Sequence, residues 1–151
     1  MPPPPSPVDP PQTESVDDYV KAIYELSPMT KMARTSEIAG RLHVAMASVT
    51  GMAHRLAERG LLDHLPYHGV RLTPSGERLA LRVLWRHRVI KMYLMRLLHC
   101  PWAVAEAEAE HLEHAVSDEL VNRMAATLAD PAIVPQRCSG LSHAVAPPDA
   151  V

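Results

Sequence analysis

The sequence predicts a mainly α-helical protein, with an N-terminal winged helix-turn-helix followed by a C-terminal helical unit. Three observations predict it. Two short helical stripes between Thr35 and Gly60 are joined by a tight turn at His43-Val44-Ala45. Two short strand-like runs, Leu61–Leu65 and Val70–Thr73, follow at once around Pro66-Tyr67-His68-Gly69. A long helical pattern then begins at Thr73-Pro74 and leads to further helices with no more strand signal.

Taken in order, residues 1–12 are expected to be a disordered leader, since residues 2–11 hold seven prolines and little that could enter a core. Residues 13–73 make the winged unit. Its first helix, Glu14–Leu26, has the stripe Val16, Val20, Ile23, joined by Tyr19 and Tyr24, and ends at Ser27-Pro28. The short helix after it can be capped by Thr35 or Ser36 and turns Ile38, Ala39 and Leu42 inward. In the next helix Val49, Met52, Ala53 and Leu56 make the apolar face, Ser48, Thr50, His54 and Arg55 look outward, and Gly60 closes it. Small polar side chains on such a helix allow close approach to base edges, and their hydroxyls can bond bases or phosphates. The hairpin then forms a wing, tipped by Tyr67 and His68 with Arg71 behind. The expected contacts to double-stranded DNA are Thr35, Ser36, Ser48, Thr50, Arg55 and Arg71.

Residues 74–130 are expected to form a connector helix and a second helical unit; residues 131–151, rich again in Pro, Ser and Gly, are expected to be a loose tail. The connector runs to about Leu98, with Leu79, Val83, Ile90 and Leu94 facing the core. Arg78, Arg82 and Arg86 form a stripe read as a solvated or phosphate-facing edge. Pro101 breaks the helix, and a last one starts at Ser117-Asp118-Glu119 and ends at Asp130-Pro131. Three helices with exposed apolar faces are too few to bury themselves, so a homodimer is expected. Between them lies Glu106–His114, where Glu106, Glu110 and Glu113 share one flank beside His114. Two readings stand on the residues alone, a solvated acidic face or a site in which a cation relieves the repulsion.

Charge is divided in the same way. Between Lys31 and Arg96 there are twelve Lys or Arg against four Asp or Glu, and elsewhere three against thirteen, although the net charge is only −2. A basic middle suits a polyanion and acidic ends suit cations. The two cysteines, Cys100 and Cys138, form no C-x-x-C pair. No run approaches the roughly 20 apolar residues of a membrane span, and the N-terminus lacks the order of a signal peptide, so a cytoplasmic protein without a membrane partner is expected. Neither a Gly-rich phosphate loop nor a nucleophile with a base at recognisable spacing is seen, and no enzyme is expected. Glu108-Ala109-Glu110-His111 spells the Glu-x-x-His of carboxylate-bridged di-metal enzymes, but that fold needs long helices where this chain has a wing.

From about Thr13 to Asp130 the chain resembles the metal-dependent repressors of the diphtheria toxin repressor family, and within it the manganese transport regulator branch. The matching stretches are Asp17-Asp18-Tyr19-Val20 with Ile23-Tyr24, Ile38-Ala39 with Arg41-Leu42, Ser48-Val49-Thr50, Gly60-Leu61-Leu62, Leu72-Thr73-Pro74-Ser75-Gly76, Arg86-His87-Arg88 and, most specifically, Glu113-His114-Ala115-Val116-Ser117-Asp118 with Glu110 before it. The resemblance implies metal ligands at Asp18, His87, Glu110, Glu113 and His114, and leaves Glu106, Glu108 and His111 to a solvated face. Iron-selective relatives carry methionine in place of Asp18 and cysteine in place of Glu110. The set here, all carboxylate and imidazole, suits Mn(II), with Fe(II) or another divalent transition metal as a second candidate.

The implied function is a Mn(II)-dependent dimeric repressor of metal-uptake genes that binds a palindromic operator. A metal-independent winged-helix regulator and an iron(II)-responsive one are the alternatives. Lys21 and Lys91 stand where relatives often have glutamate, which puts a second metal in doubt and suggests that the Lys21 ammonium replaces it. Gly51 stands where a long polar residue is usual on the recognition helix, so the DNA preference is expected to differ. The third domain of longer family members is expected to be absent.

Overall fold

The structure, a computed structural model, describes residues 16–27 and 32–129. The expected leader, the tail, the Asp130-Pro131 stop and Cys138 lie outside these residues. The elements are α1 (Val16–Leu26), α2 (Thr35–Leu42), α3 (Met46–Glu58), β1 (Leu62–Leu65), β2 (Gly69–Leu72), α4 (Pro74–Leu97), α5 (Trp102–Ala115) and α6 (Asp118–Ala129). They fall into two compact units that meet within α4, between Glu77 and Arg78.

In the first unit α1 packs on α2, α3 and β2, through Tyr19, Val20, Ala22 and Ile23. These meet Ile38 and Ala39 of α2 and Val49, Met52, Ala53 and Leu56 of α3 in one apolar interior. The expected cap of α2 is corrected. Thr35 and Ser36 are already helical, and Arg34 precedes them with extended backbone, its N–H donated to Glu37 Oε2 at 2.8 Å. A carboxylate at the third helical position satisfies the cap amide and also meets the positive end of the helix dipole, which neither hydroxyl can do. α2 stops at His43, which is left-handed (φ 56°), and Val44 N–H returns to Ala39 O at 3.1 Å. That tight turn sets α3 against α2 as a helix-turn-helix.

β1 and β2 pair antiparallel with Leu62 opposite Leu72 and Asp63 opposite Arg71. Ala33 adds a single-residue bridge, exchanging two backbone hydrogen bonds with Val70 at 2.8 and 2.9 Å. Gly69 is required there: its φ is +112°, and a Cβ would come within 2.4 Å of Ala33 O.

The second unit packs α4 from Arg78 onward with α5 and α6 around Val89, Ile90, Leu94, Ala105, Ala109, Val121 and Leu128. Ala105 and Ala109, one turn apart and wholly buried, let α5 approach closely. The arginine stripe of α4 is a solvated edge at Arg78 and Arg82, as expected, but at Arg86 it is largely covered. Arg82 Nη2 lies 2.5 Å from Asp118 Oδ2, Arg86 Nη1 bonds Asp118 Oδ1, and Arg86 Nε donates to Glu113 O at 2.7 Å. The guanidinium of Arg86 thus ties the carbonyl end of α5 to a carboxylate at the start of α6, both favourable places for those charges. Because the Asp118 pairs are largely exposed, Asp118→Ala is expected to cost only about 1 kcal/mol, measured by thermal denaturation; an unchanged midpoint would show that solvent screens them fully. No helix among the described residues is long and apolar enough to cross a membrane.

Candidate metal centre

Helical spacing on α4 and α5 creates the site. His87 and Lys91 stand one turn apart on α4, and Glu106, Glu110 and Glu113 follow at i, i+4 and i+7 on α5, so each set lies along one stripe. His87 is 7% exposed and Glu113 3%. His87 Nδ1 lies 2.6 Å from Glu113 Oε2. A carboxylate only accepts, so Nδ1 carries a proton and donates it, and Nε2, the ring's other nitrogen, lies 3.4 Å from Glu106 Oε1. This is how carboxylates commonly orient a ligating imidazole.

His87, Glu106 and Glu110 each offer a ligand atom, and these atoms lie within 4.8 Å of one another. Ligands at about 2.1 Å on opposite sides of one cation are about 4.2 Å apart, so the group has a spacing that could accept a single divalent ion. Its donors are nitrogen and oxygen only, hard to borderline in character. Lys91 Nζ holds the other Glu106 oxygen, Oε2, at 2.8 Å. The hydrogen bond from Lys91 keeps the Glu106 carboxyl below its ordinary value of 4.5, against burial, which raises it; the charges of Lys91 and His87 add to the lowering. Glu106 is therefore an anion at neutral pH, the form that ligates.

This corrects the expectation for Glu106, which leaves the solvated face and joins His87, while Glu108 and His111 are exposed. The signal was present in its spacing of four from Glu110, which Glu108 does not share. Of the other expected ligands, Glu113 is the buried acceptor of His87, and His114 is exposed with Nε2 3.5 Å from Glu113 Oε1. Asp18 is a half-buried residue of the first turn of α1, in the first unit.

The expected DNA contacts lie on the first unit. On α2 Thr35 is half-buried and Ser36 exposed; on α3 Ser48 is half-buried, while Thr50 and Arg55 are exposed. Thr50 Oγ1 donates to Met46 O at 3.1 Å. Arg71 makes an exposed ion pair with Asp63 across the hairpin at 3.2 Å. Gly51 faces open space, with nothing within 4 Å of an added Cβ.

Residues 12–70 match the family model "Iron dependent repressor, N-terminal DNA binding domain", and residues 73–139 match "Iron dependent repressor, metal binding and dimerisation domain". The chain is 34% identical over 113 residues to an uncharacterised HTH-type transcriptional regulator of Methanocaldococcus jannaschii, covering 74% of this chain and 90% of the relative. It is 38% identical over 109 residues to the transcriptional regulator MntR of Escherichia coli O157:H7, covering 72% of this chain and 70% of the relative. Among solved structures it is similar to a manganese-dependent transcriptional repressor in complex with manganese, at 37% identity and a TM-score of 0.69, covering 76% of this chain and 52% of that one. The IdeR of T. acidophilum is similar at 29% identity and a TM-score of 0.69, covering 79% and 56%. The chain thus spans about half the length of these two solved relatives.

Proposed function

Because this chain belongs to the iron-dependent repressor family, that of the diphtheria toxin and manganese transport regulators, a family of metal-dependent transcriptional repressors and not of enzymes, we propose that it is a Mn(II)-dependent, homodimeric repressor of metal-uptake genes. The observation that carries the metal reading is His87, buried, with Nδ1 fixed by Glu113 and Nε2 turned to the carboxylate of Glu106. No sulfur ligand stands at the positions of Asp18 and Glu110, where the iron-selective pattern has methionine and cysteine, and this favours manganese over iron.

His87, Glu106 and Glu110 hold metal from the second unit, with Glu113 and His114 alongside, and Asp18 contributes from the DNA-binding unit. The bound cation supplies positive charge among carboxylates that otherwise repel one another. Without it, that repulsion favours separated units; with Asp18 drawn in, one arrangement is populated, and the two α3 helices of a dimer take the spacing of two half-sites in a palindrome. Ser36, Thr50 and Arg55 then face DNA, whose location places the protein in the cytoplasm.

The test is fluorescence anisotropy of labelled promoter DNA across Mn(II), Fe(II), Zn(II) and chelator. Tight binding in Mn(II) and loss in chelator are expected. Equal binding in chelator would support the metal-independent reading, and tighter binding in Fe(II) than in Mn(II) would reassign the metal.

A further inference from the structure

Lys91 stands one turn beyond His87, with its ammonium 2.8 Å from Glu106 Oε2, while Glu106 Oε1 faces His87 Nε2 at 3.4 Å. One carboxylate is thus shared between a fixed unit cation and the group that offers a metal its imidazole. The Lys91 side chain is 23% exposed, and the Trp102 ring centre lies 5.9 Å from Nζ. Partly desolvated and paired with Glu106, the ammonium is held at the site more firmly than a fully solvated lysine. A divalent cation approaching His87, Glu106 and Glu110 must either accept Lys91 as a close neighbour or displace it from Glu106.

We propose that Lys91 is a built-in competing cation: it neutralises Glu106 in the metal-free protein and sets the metal concentration at which the His87–Glu106–Glu110 group fills. The inference rests on the metal-dependent reading above and adds what tunes its threshold. A repressor that must respond to a particular free-metal level needs an affinity held down to that level, and a lysine bonded to a ligand does this without removing the ligand. A purely structural role, in which the pair joins α4 to α5, has the opposite sign. Loss of a structural pair loosens the site and weakens metal binding, whereas loss of a competitor tightens it.

The full chain is titrated with Mn(II), and the free aquated ion is read by electron paramagnetic resonance, a readout independent of DNA. Lys91→Gln is expected to tighten binding about tenfold, which corresponds to about 1.4 kcal/mol, the size of one hydrogen bond to a charged group that the metal no longer has to displace from Glu106. Lys91→Arg, which keeps the charge, is expected to bind as the wild type does. In a Glu106→Gln background, where the shared carboxylate is gone, Lys91→Gln is expected to change the affinity much less. Melting temperatures measured in chelator should show both Lys91 variants folded, with Mn(II) raising that of Lys91→Gln more than that of the wild type. Unchanged or weaker binding by Lys91→Gln, or the full tenfold effect persisting with Glu106→Gln, overturns the proposal alone. A wild-type chain that binds no Mn(II) overturns the metal reading and the proposal with it.

Discussion

Asp18→Ala is expected to reduce operator binding in Mn(II) to the level measured in chelator, with the protein still eluting as a dimer, and Glu110→Ala to do the same. The two residues act from different units: Asp18 belongs to α1 and Glu110 to α5. If metal works by making one arrangement of the units dominant, moving the population from 1:99 to 99:1 takes a preference of about 10⁴-fold. No single DNA contact supplies that. Removing the carboxylate on either side leaves metal with nothing to gain from bringing the units together, so metal and operator binding uncouple. The proposed dimer would bury exposed apolar side chains of the second unit instead, and Trp102 and Leu120 are of that kind and are touched by neither substitution. Anisotropy with size-exclusion chromatography measures both properties. Wild-type operator binding by Asp18→Ala in Mn(II) would contradict the account, and loss of the dimer would show that the ligand is structural.

Gly76→Ala is expected to destabilise the DNA-binding unit by about 3 kcal/mol, at the upper end of overpacking costs. Gly76 is buried in the first turn of α4, and a Cβ there would lie 2.0 Å from Leu61 O and 3.1 Å from Leu72 Cδ2. The obstacle is backbone and cannot swing aside. It is also held from several directions: Leu61 O accepts Thr73 N–H at 3.1 Å, Thr73 Oγ1 donates to Gly60 O at 2.7 Å, and Gly76 N–H donates to Thr73 Oγ1 at 3.2 Å. Room for a methyl could come only from prising the start of α4 away from the foot of the hairpin. Gly51→Ala is the control. With open space around it and a helical backbone, alanine there should gain up to about 1 kcal/mol of helix propensity. Thermal denaturation of both variants separates the cases, and a Gly76→Ala midpoint near that of the wild type would contradict the packing argument.

Much of the fold was legible because its signals are local. The stripes Val49, Met52, Ala53 and Leu56, the Thr73-Pro74 start and the strand runs around Tyr67 each lie within about one element's length of sequence. What escaped depends mostly on partners far along the chain. Nothing near Arg82 or Arg86 says that Asp118, more than 30 residues on, will pair with both. The carboxylate stripe on α5 was visible, and its spacing already set Glu106 apart from Glu108, but its contacts with His87 and Lys91 appear only in the folded chain. The cap of α2 was assigned to a hydroxyl because Ser and Thr are common caps, whereas Glu37 could reach the Arg34 amide from inside the helix. For the site, the choice between an acidic face and a metal cluster came from the resemblance, not from spacing.

The central claim is that bound metal fixes the spacing of the two recognition helices. Distances between them can be read by single-molecule energy transfer in the dimer, with dyes on Gly51→Cys, an exposed position on α3, and with Cys100 and Cys138 replaced by serine. A broad distribution in chelator that narrows to one peak in Mn(II) is the expected result. The same distribution in both conditions would contradict it.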